Sequence, residues 1–359
     1  MRDVPTAFAA YSPENFDGRF AGPLAAKDAL IRSRNVPALT VSARLARPGL
    51  YDFLKTAGVD LPLPEAHYGL GLVLGTGEVT MQDLARLYTA LANGGVMRPL
   101  RLLETTTTTT TAAAARARDG GVRLVSEESA FLVLDMLSDN PRPSSRVNVT
   151  SQARAAKFGN VAWKTGTSWG FRDAWAVGLF GPYALAVWVG DFSGAGNAAF
   201  VGAQAAGPLF FEIVDSVTAR AAPVATPIAH WGGPPPSGIR RVEVCALSGG
   251  LPTAHCAHRR TSWFIPARSP IEPCQVHRTL PLDSRGRRTC ALGPPAVRSE
   301  VFEVWPSDLA RLFTVAGLPR RALPPPAPGC DDVEAPRGNP PRITSPLTGV
   351  TYTLRAHRP

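Results

Sequence analysis

Val161-Ala162-Trp163-Lys164-Thr165-Gly166-Thr167-Ser168 is the stretch on which the fold turns. An apolar lead-in followed by β-branched residues around a glycine predicts a strand, and Gly166 keeps one edge clear of side chain so that another backbone can lie beside it. Lys164 sets a cation at that edge, and Thr165 and Thr167 add hydroxyls, a combination suited to a ligand ending in a carboxylate. Downstream, Trp169 to Asp173 predicts a turn and Ala174 to Phe180 a second strand. Gly181-Pro182 turns the chain again into a third strand, Tyr183 to Gly190. The pattern is an antiparallel meander. From Ala203 to Ala221, Leu209, Phe210, Ile213, Val214 and Val217 recur at helical spacing with Pro208 in the first turn, which predicts a helix covering one sheet face.

Upstream, the helix signals are local. Ala25 to Arg32 predicts a short helix ended by Ser33-Arg34-Asn35, and Pro37 opens another through Leu39, Val41 and Leu45. Ser33 and Asn35 therefore stand at a helix junction. Tyr51 to Ala57 closes at Gly58, Thr80 caps Met81 to Asn93, and Ser126 caps a helix whose expected buried side is Phe131, Leu132, Leu134 and Leu137. Seven consecutive threonines from Thr105, followed by Ala112 to Ala115, read as a surface insert.

The 359 residues suffice for two or three domains, and 45% hydrophobic content supports a packed core. The formal charge of +10 comes from 38 basic residues, of which four are lysine. They are spread along the chain without interleaved aromatics, which argues against nucleic acid as a partner. No run approaches the roughly 18 apolar residues of a membrane span, and Met1-Arg2-Asp3-Val4-Pro5 is not a signal peptide.

Pro- and Gly-rich stretches divide the chain into residues 1–222, a linker at 223–239, a cysteine-containing region at 240–322, and 323–359, where a second Pro-rich linker leads to a strand pattern from Ile343 to Leu354. Cys245, Cys256, Cys274 and Cys290 suggest a pair of disulfides in an oxidising compartment; a zinc site of Cys274 and His277 with Cys256 and His258 is the alternative. Either way Cys330 is expected to be left over. No metal or cofactor enters the expected active site.

Ser33-x-Asn35 and Lys164-Thr165-Gly166 together resemble two of the three motifs of the active-site serine penicillin-recognising enzymes. Further likeness lies in Tyr11 through Asn15, Val36-Pro37-Ala38, Ala90 to Gly95, and Asp173-Ala174-Trp175, all similar to the transpeptidase domain of a bifunctional (class A) penicillin-binding protein. Cys245, Ser248-Gly249, Trp263 to Pro266 and Cys274-x-x-His277-Arg278 resemble the 1C type, and Ile343 to Tyr352 the opening of its C-terminal β-sandwich. The resemblance implies an α/β fold, an antiparallel sheet flanked by helices, truncated at its start, followed by the cysteine region and a truncated sandwich strand.

The same resemblance implies peptidoglycan D,D-transpeptidation, with stem peptides and β-lactams as partners, possible association with other cell-wall synthesis proteins, and a periplasmic, membrane-anchored setting for the full-length family. Ser33 would relay protons between the nucleophile and Lys164, Asn35 would hold the substrate amide, and Thr165, Gly166 and Thr167 would bind the terminal carboxylate and supply part of the oxyanion hole. One motif is missing. The residues three before Lys27, Lys55, Lys157 and Lys164 are Leu24, Asp52, Arg154 and Val161, so no Ser-x-x-Lys exists. The expectations are therefore a start that lies inside a longer frame and a chain inactive by itself, with a non-catalytic wall-peptide- or partner-binding module as the alternative.

Overall fold

The computed structural model describes residues 1–8, 11–100, 121–143, 161–220, 233–269, 272–291 and 293–330. The threonine-rich insert, most of the first linker and the strand pattern from Ile343 to Leu354 lie outside them. The chain forms two compact units, Ala25–Arg240 in one and Met1–Leu24 with Arg241–Pro359 in the other.

The first unit is built on a three-stranded antiparallel sheet of Ala162–Thr167, Asp173–Phe180 and Tyr183–Gly190, in that order. The register pairs Trp163 with Gly178, Lys164 with Val177 and Gly166 with Trp175. Side chains alternate faces along a strand, so the sheet has two distinct apolar surfaces. On one, Trp163, Ala174, Ala176 and Phe180 pack with Phe210, Phe211 and Val214 of the helix Ala206–Arg220. Trp163 stacks on Phe210 at 6.1 Å and meets the edge of Phe211 at 4.8 Å between ring centroids. The helix turns Phe211 inward and leaves Leu209 exposed, a correction to the expected stripe, because the aromatic pair needed to meet Trp163 sets the helix's rotation.

On the other face, Ala162 and Leu179 pack with Ala92 of the helix Met81–Ala92 and with Leu134 and Leu137 of the helix Glu127–Ser138. Both helices start where their caps predict. Thr80 Oγ1 accepts from the Asp83 N–H at 3.1 Å, and Ser126 Oγ from the Ser129 N–H at 3.2 Å. Gly94 and Gly95, both at positive φ, end the first of them. Ala130, Leu134 and Leu137 are the buried residues of the second, with Phe131 and Leu132 only half-buried.

The second unit is made of small pieces. Arg2–Asp3 pairs with Gly22–Pro23, Arg240–Cys245 lies beside Arg259–Phe264, and His277–Leu282 pairs with Arg298–Glu303. Met1–Leu24 groups with the cysteine region in this unit. The Asp3 carboxylate is buried and accepts from Asn15 Nδ2 at 2.7 Å and the Ala21 N–H at 2.9 Å, while Gly22 packs on Leu312 and Ala316 of the helix Ser307–Val315. No helix among the described residues is long and apolar enough to cross a membrane.

Cys330 is not left over, which corrects the sequence expectation. It forms a disulfide with Cys290 across a separation of 40 residues. The Pro-rich segment brings it there by running along Arg288, whose N–H donates to Pro325 O at 2.9 Å and whose carbonyl accepts from the Ala327 N–H at 2.7 Å. Gly293 leaves the space beside both sulfurs, since a Cβ there would sit 2.4 Å from Cys330 Sγ.

Candidate active site

Lys164 shares its sheet face with Ala162, the face covered by the helices Met81–Ala92 and Glu127–Ser138. The short helix Ala26–Ile31 lies on the same side, where Leu30 joins that core and Lys27 pairs with Asp139 at the end of the neighbouring helix. Ser33 follows one residue beyond the helix, after its C-cap Arg32. Lys164 Nζ donates to Ser33 Oγ, a contact spanning 131 residues of sequence, and also to Thr165 O at 2.9 Å. Burial lowers the Lys164 pKa to about 8. An amine so tuned carries an appreciable neutral fraction near neutral pH, when it can take a proton from the hydroxyl and return it.

The backbone that presents Ser33 is unusual. The helix Ala26–Ile31 ends with the Arg34 N–H donating to Ala29 O at 3.0 Å and the Ser33 N–H to Leu30 O at 3.1 Å, the paired bonds of a Schellman ending. Its left-handed position normally holds glycine, yet here it is Ser33, at φ 53°. A non-glycine residue at that φ costs roughly 1–2 kcal/mol. Ser33→Gly is therefore expected to melt about 1 kcal/mol more stably than Ser33→Ala, although both lack the hydroxyl. Urea titrations of the two variants measure it, and equal stabilities would show that the left-handed turn is absent.

Asn35 is the first residue of the helix Asn35–Ser42, and Val36, Pro37 and Leu39 anchor that helix in the interior. Thr165 and Thr167 alternate onto the face opposite Lys164. Thr167 Oγ1 accepts from the Gly202 N–H at 3.0 Å, a contact the sequence did not announce. Gly202 has no room for a side chain, since a Cβ would lie 2.3 Å from Gly166 O and 2.8 Å from Trp175 O. Gly166 is exposed on the outermost strand of the sheet, and no described strand pairs with its other edge. Its own absent Cβ would meet only Trp175 Cβ, at an ordinary 3.7 Å, so the glycine there opens the surface without being required by the packing.

Two further groups support the strand and carry no recognisable signal in the sequence. Asn140 Nδ2 donates to Trp163 O and Trp163 Nε1 to Asn140 O, both at 3.0 Å, which fixes the strand entering Lys164. Beyond Thr167, Ser168 Oγ donates to Asp173 Oδ2 at 2.7 Å, and Asp173 Oδ1 accepts from Trp188 Nε1 at 2.8 Å, closing the turn. Only the prolines and glycines beside these residues mark the places where the chain reverses.

Residues 6–184 match the family model for the penicillin binding protein transpeptidase domain, and residues 235–279 that for the C-terminal domain of penicillin-binding protein 1A. The chain belongs to the penicillin-binding protein family. It is 29% identical to penicillin-binding protein 1C of Escherichia coli over 98% of its length and 43% of the relative's. To penicillin-binding protein 1F of Bacillus subtilis it is 26% identical over 53% of this chain and 26% of the relative. The chain thus spans less than half the length of these curated relatives. The fold is similar to that of penicillin-binding protein 1A from Haemophilus influenzae, with a TM-score of 0.59 at 19% identity, covering 76% of this chain and 45% of that one. Ser33, Asn35 and the strand segment Lys164–Thr167 all lie within the matched residues 6–184.

Proposed function

We propose that the Ser33–Lys164 site takes part in peptidoglycan D,D-transpeptidation. The reaction joins a serine oxygen to the carbonyl of the penultimate D-Ala, breaks the amide to the last D-Ala, and then passes the acyl group from the ester to an amine of a second stem peptide. The observation that supports this reading best is the Lys164 amine set on the Ser33 hydroxyl from a distant segment. Lys164 and Ser33 move the proton, Asn35 holds the substrate amide, and Thr165, Gly166 and Thr167 receive the terminal carboxylate along the exposed strand. The backbone N–H of Thr167 stabilises the developing oxyanion. By the same reading the site works on the periplasmic side of a membrane, engages β-lactams as substrate mimics, and operates among other wall-synthesis proteins. The Cys290–Cys330 disulfide is in keeping with an oxidising compartment.

These 359 residues contain no serine three positions before a lysine. We infer that the attacking hydroxyl is not among them and that the chain by itself forms no acyl-enzyme. Fluorescent penicillin tests both statements. The chain alone is expected to stay unlabelled on a denaturing gel, whereas a hybrid preceded by a Ser-x-x-Lys segment of the family's pattern is expected to label and to lose the label with Lys164→Met. Labelling of the chain alone would overturn the missing hydroxyl, and a folded hybrid that never labels would overturn the transpeptidase reading. The missing motif also favours a second reading, a module that binds wall peptide or partner proteins without chemistry. Loss of all retention on purified peptidoglycan sacculi would remove the wall-binding part of it.

A further inference from the structure

Five cysteines are present, and two of them, Cys290 and Cys330, form the disulfide. The other three are buried thiols that converge on one point. Cys245, Cys256 and Cys274 are 0%, 5% and 6% exposed, and their sulfurs with a ring nitrogen of half-buried His277 all lie within 4.8 Å of one another. His277 Nδ1 is 3.5 Å from Cys245 Sγ and 3.4 Å from Cys274 Sγ. Tetrahedral zinc, with its usual bond lengths to sulfur and nitrogen, sets such atoms about 3.5 Å apart.

Each ligand comes from a tight local turn. Cys245 ends its strand in a loop closed by its own N–H donating to Gly250 O at 2.8 Å and by the Gly249 N–H donating back to Cys245 O at 2.9 Å. Gly250 admits the second cysteine segment, since a Cβ there would stand 2.7 Å from Glu272 O. Leu251 exchanges bonds with Glu272 and Cys274 across the gap, both at 2.8 Å. Cys274-x-x-His277 then supplies two ligands from one turn into a strand. Cys256 caps a turn in which the Thr253 N–H points at Cys256 Sγ from 3.3 Å, the kind of donor that steadies a metal-bound thiolate. Leu247 and Trp305 cover the cluster with apolar surface.

We propose that Cys245, Cys256, Cys274 and His277 form a structural zinc site. Three thiols give up their protons, the neutral imidazole offers a lone pair, and Zn2+ takes four ligands with no position left open for chemistry. A disulfide accounts for these atoms less well. It would join two of three sulfurs and leave a buried thiol and an imidazole facing it. The role follows from the surroundings. Two-stranded ribbons are marginal by themselves, and the ion would tie the ribbon carrying Cys245 to the one opened by His277. His258, the histidine favoured by its nearness to Cys256 in sequence, is absent from the cluster; Cys245 takes the fourth place.

The test uses the full chain, purified without chelator and analysed for metal. About one zinc per chain is expected, and replacement by cobalt(II) should give the thiolate charge-transfer and intense visible bands of a tetrahedral site. Cys256→Ser and His277→Ala should each lose most of the metal, while His258→Ala keeps it. If the variants fail to fold, the wild-type metal content and cobalt spectrum still decide. A folded wild-type chain that takes up no zinc, a disulfide between any two of the three cysteines by mass spectrometry of unreduced protein, or full zinc retention in both ligand variants would overturn the proposal.

Discussion

Replacing Gly178 with valine is expected to destabilise the first unit by about 3 kcal/mol or more, and alanine there by about 1–3 kcal/mol. Gly178 lies opposite Trp163 in the sheet, beneath the helix Ala206–Arg220. A Cβ at this position would stand 2.6 Å from Ala162 O, 2.7 Å from Trp163 Cβ and 2.9 Å from Phe210 Cζ. The first two neighbours belong to the adjacent strand's backbone and its root, so they cannot swing aside as a flexible side-chain tip would. In an exposed strand a glycine weakens the sheet and alanine would help; the close approach of the Trp163–Phe210 pair reverses the sign here. Urea unfolding followed by tryptophan fluorescence measures the loss, and pairing Gly178→Ala with Phe210→Leu should recover part of it. A Gly178→Ala chain as stable as the parent would mean that the aromatic pair does not press on this strand.

Lys164→Met is expected to separate stability from chemistry. The folded pKa of Lys164, about 8, lies below the roughly 10.4 of a free lysine, so between those values the unfolded chain binds more protons than the folded one. Stability attributable to this residue should therefore rise as pH increases through that window and stay flat below it. Below pH 8 the folded chain bears the full cost of a partly desolvated cation. Each pKa unit is worth about 1.4 kcal/mol, and water reaching the half-buried amine discounts the sum, leaving about 1–3 kcal/mol for methionine to recover at pH 7. The difference in unfolding free energy between wild type and variant, measured at pH 7 and again near pH 10, should shrink markedly. A difference independent of pH would show that Lys164 titrates like a solvated lysine. The same substitution should abolish penicillin labelling of the hybrid described above, a gain in stability bought with the loss of the proton carrier.

Most of the local structure was legible because it depends on near neighbours. Thr80 and Ser126 announced two helix starts, Gly58 and the Gly94–Gly95 pair announced helix ends, and the alternation after Lys164 announced the meander. The candidate site residues were picked out by two short motifs and a family resemblance. Nothing in the periodicity said that Ser33 would meet Lys164, and a left-handed serine at a helix end looks in sequence like any capping residue.

The amino-acid order by itself determined the strand carrying Lys164, the helices that flank it and the absence of a Ser-x-x-Lys, because each depends on residues a few positions apart. Tertiary structure alone decided the rest. It chose Cys330 as the partner of Cys290, Cys245 in place of His258 in the proposed metal set, Phe211 in place of Leu209 for the core, and the grouping of residues 1–24 with the cysteine region. These choices depend on which surfaces meet after long stretches of chain have been brought together. That is a matter of packing volume and buried polar partners, and it leaves little trace in the spacing of residues along the chain.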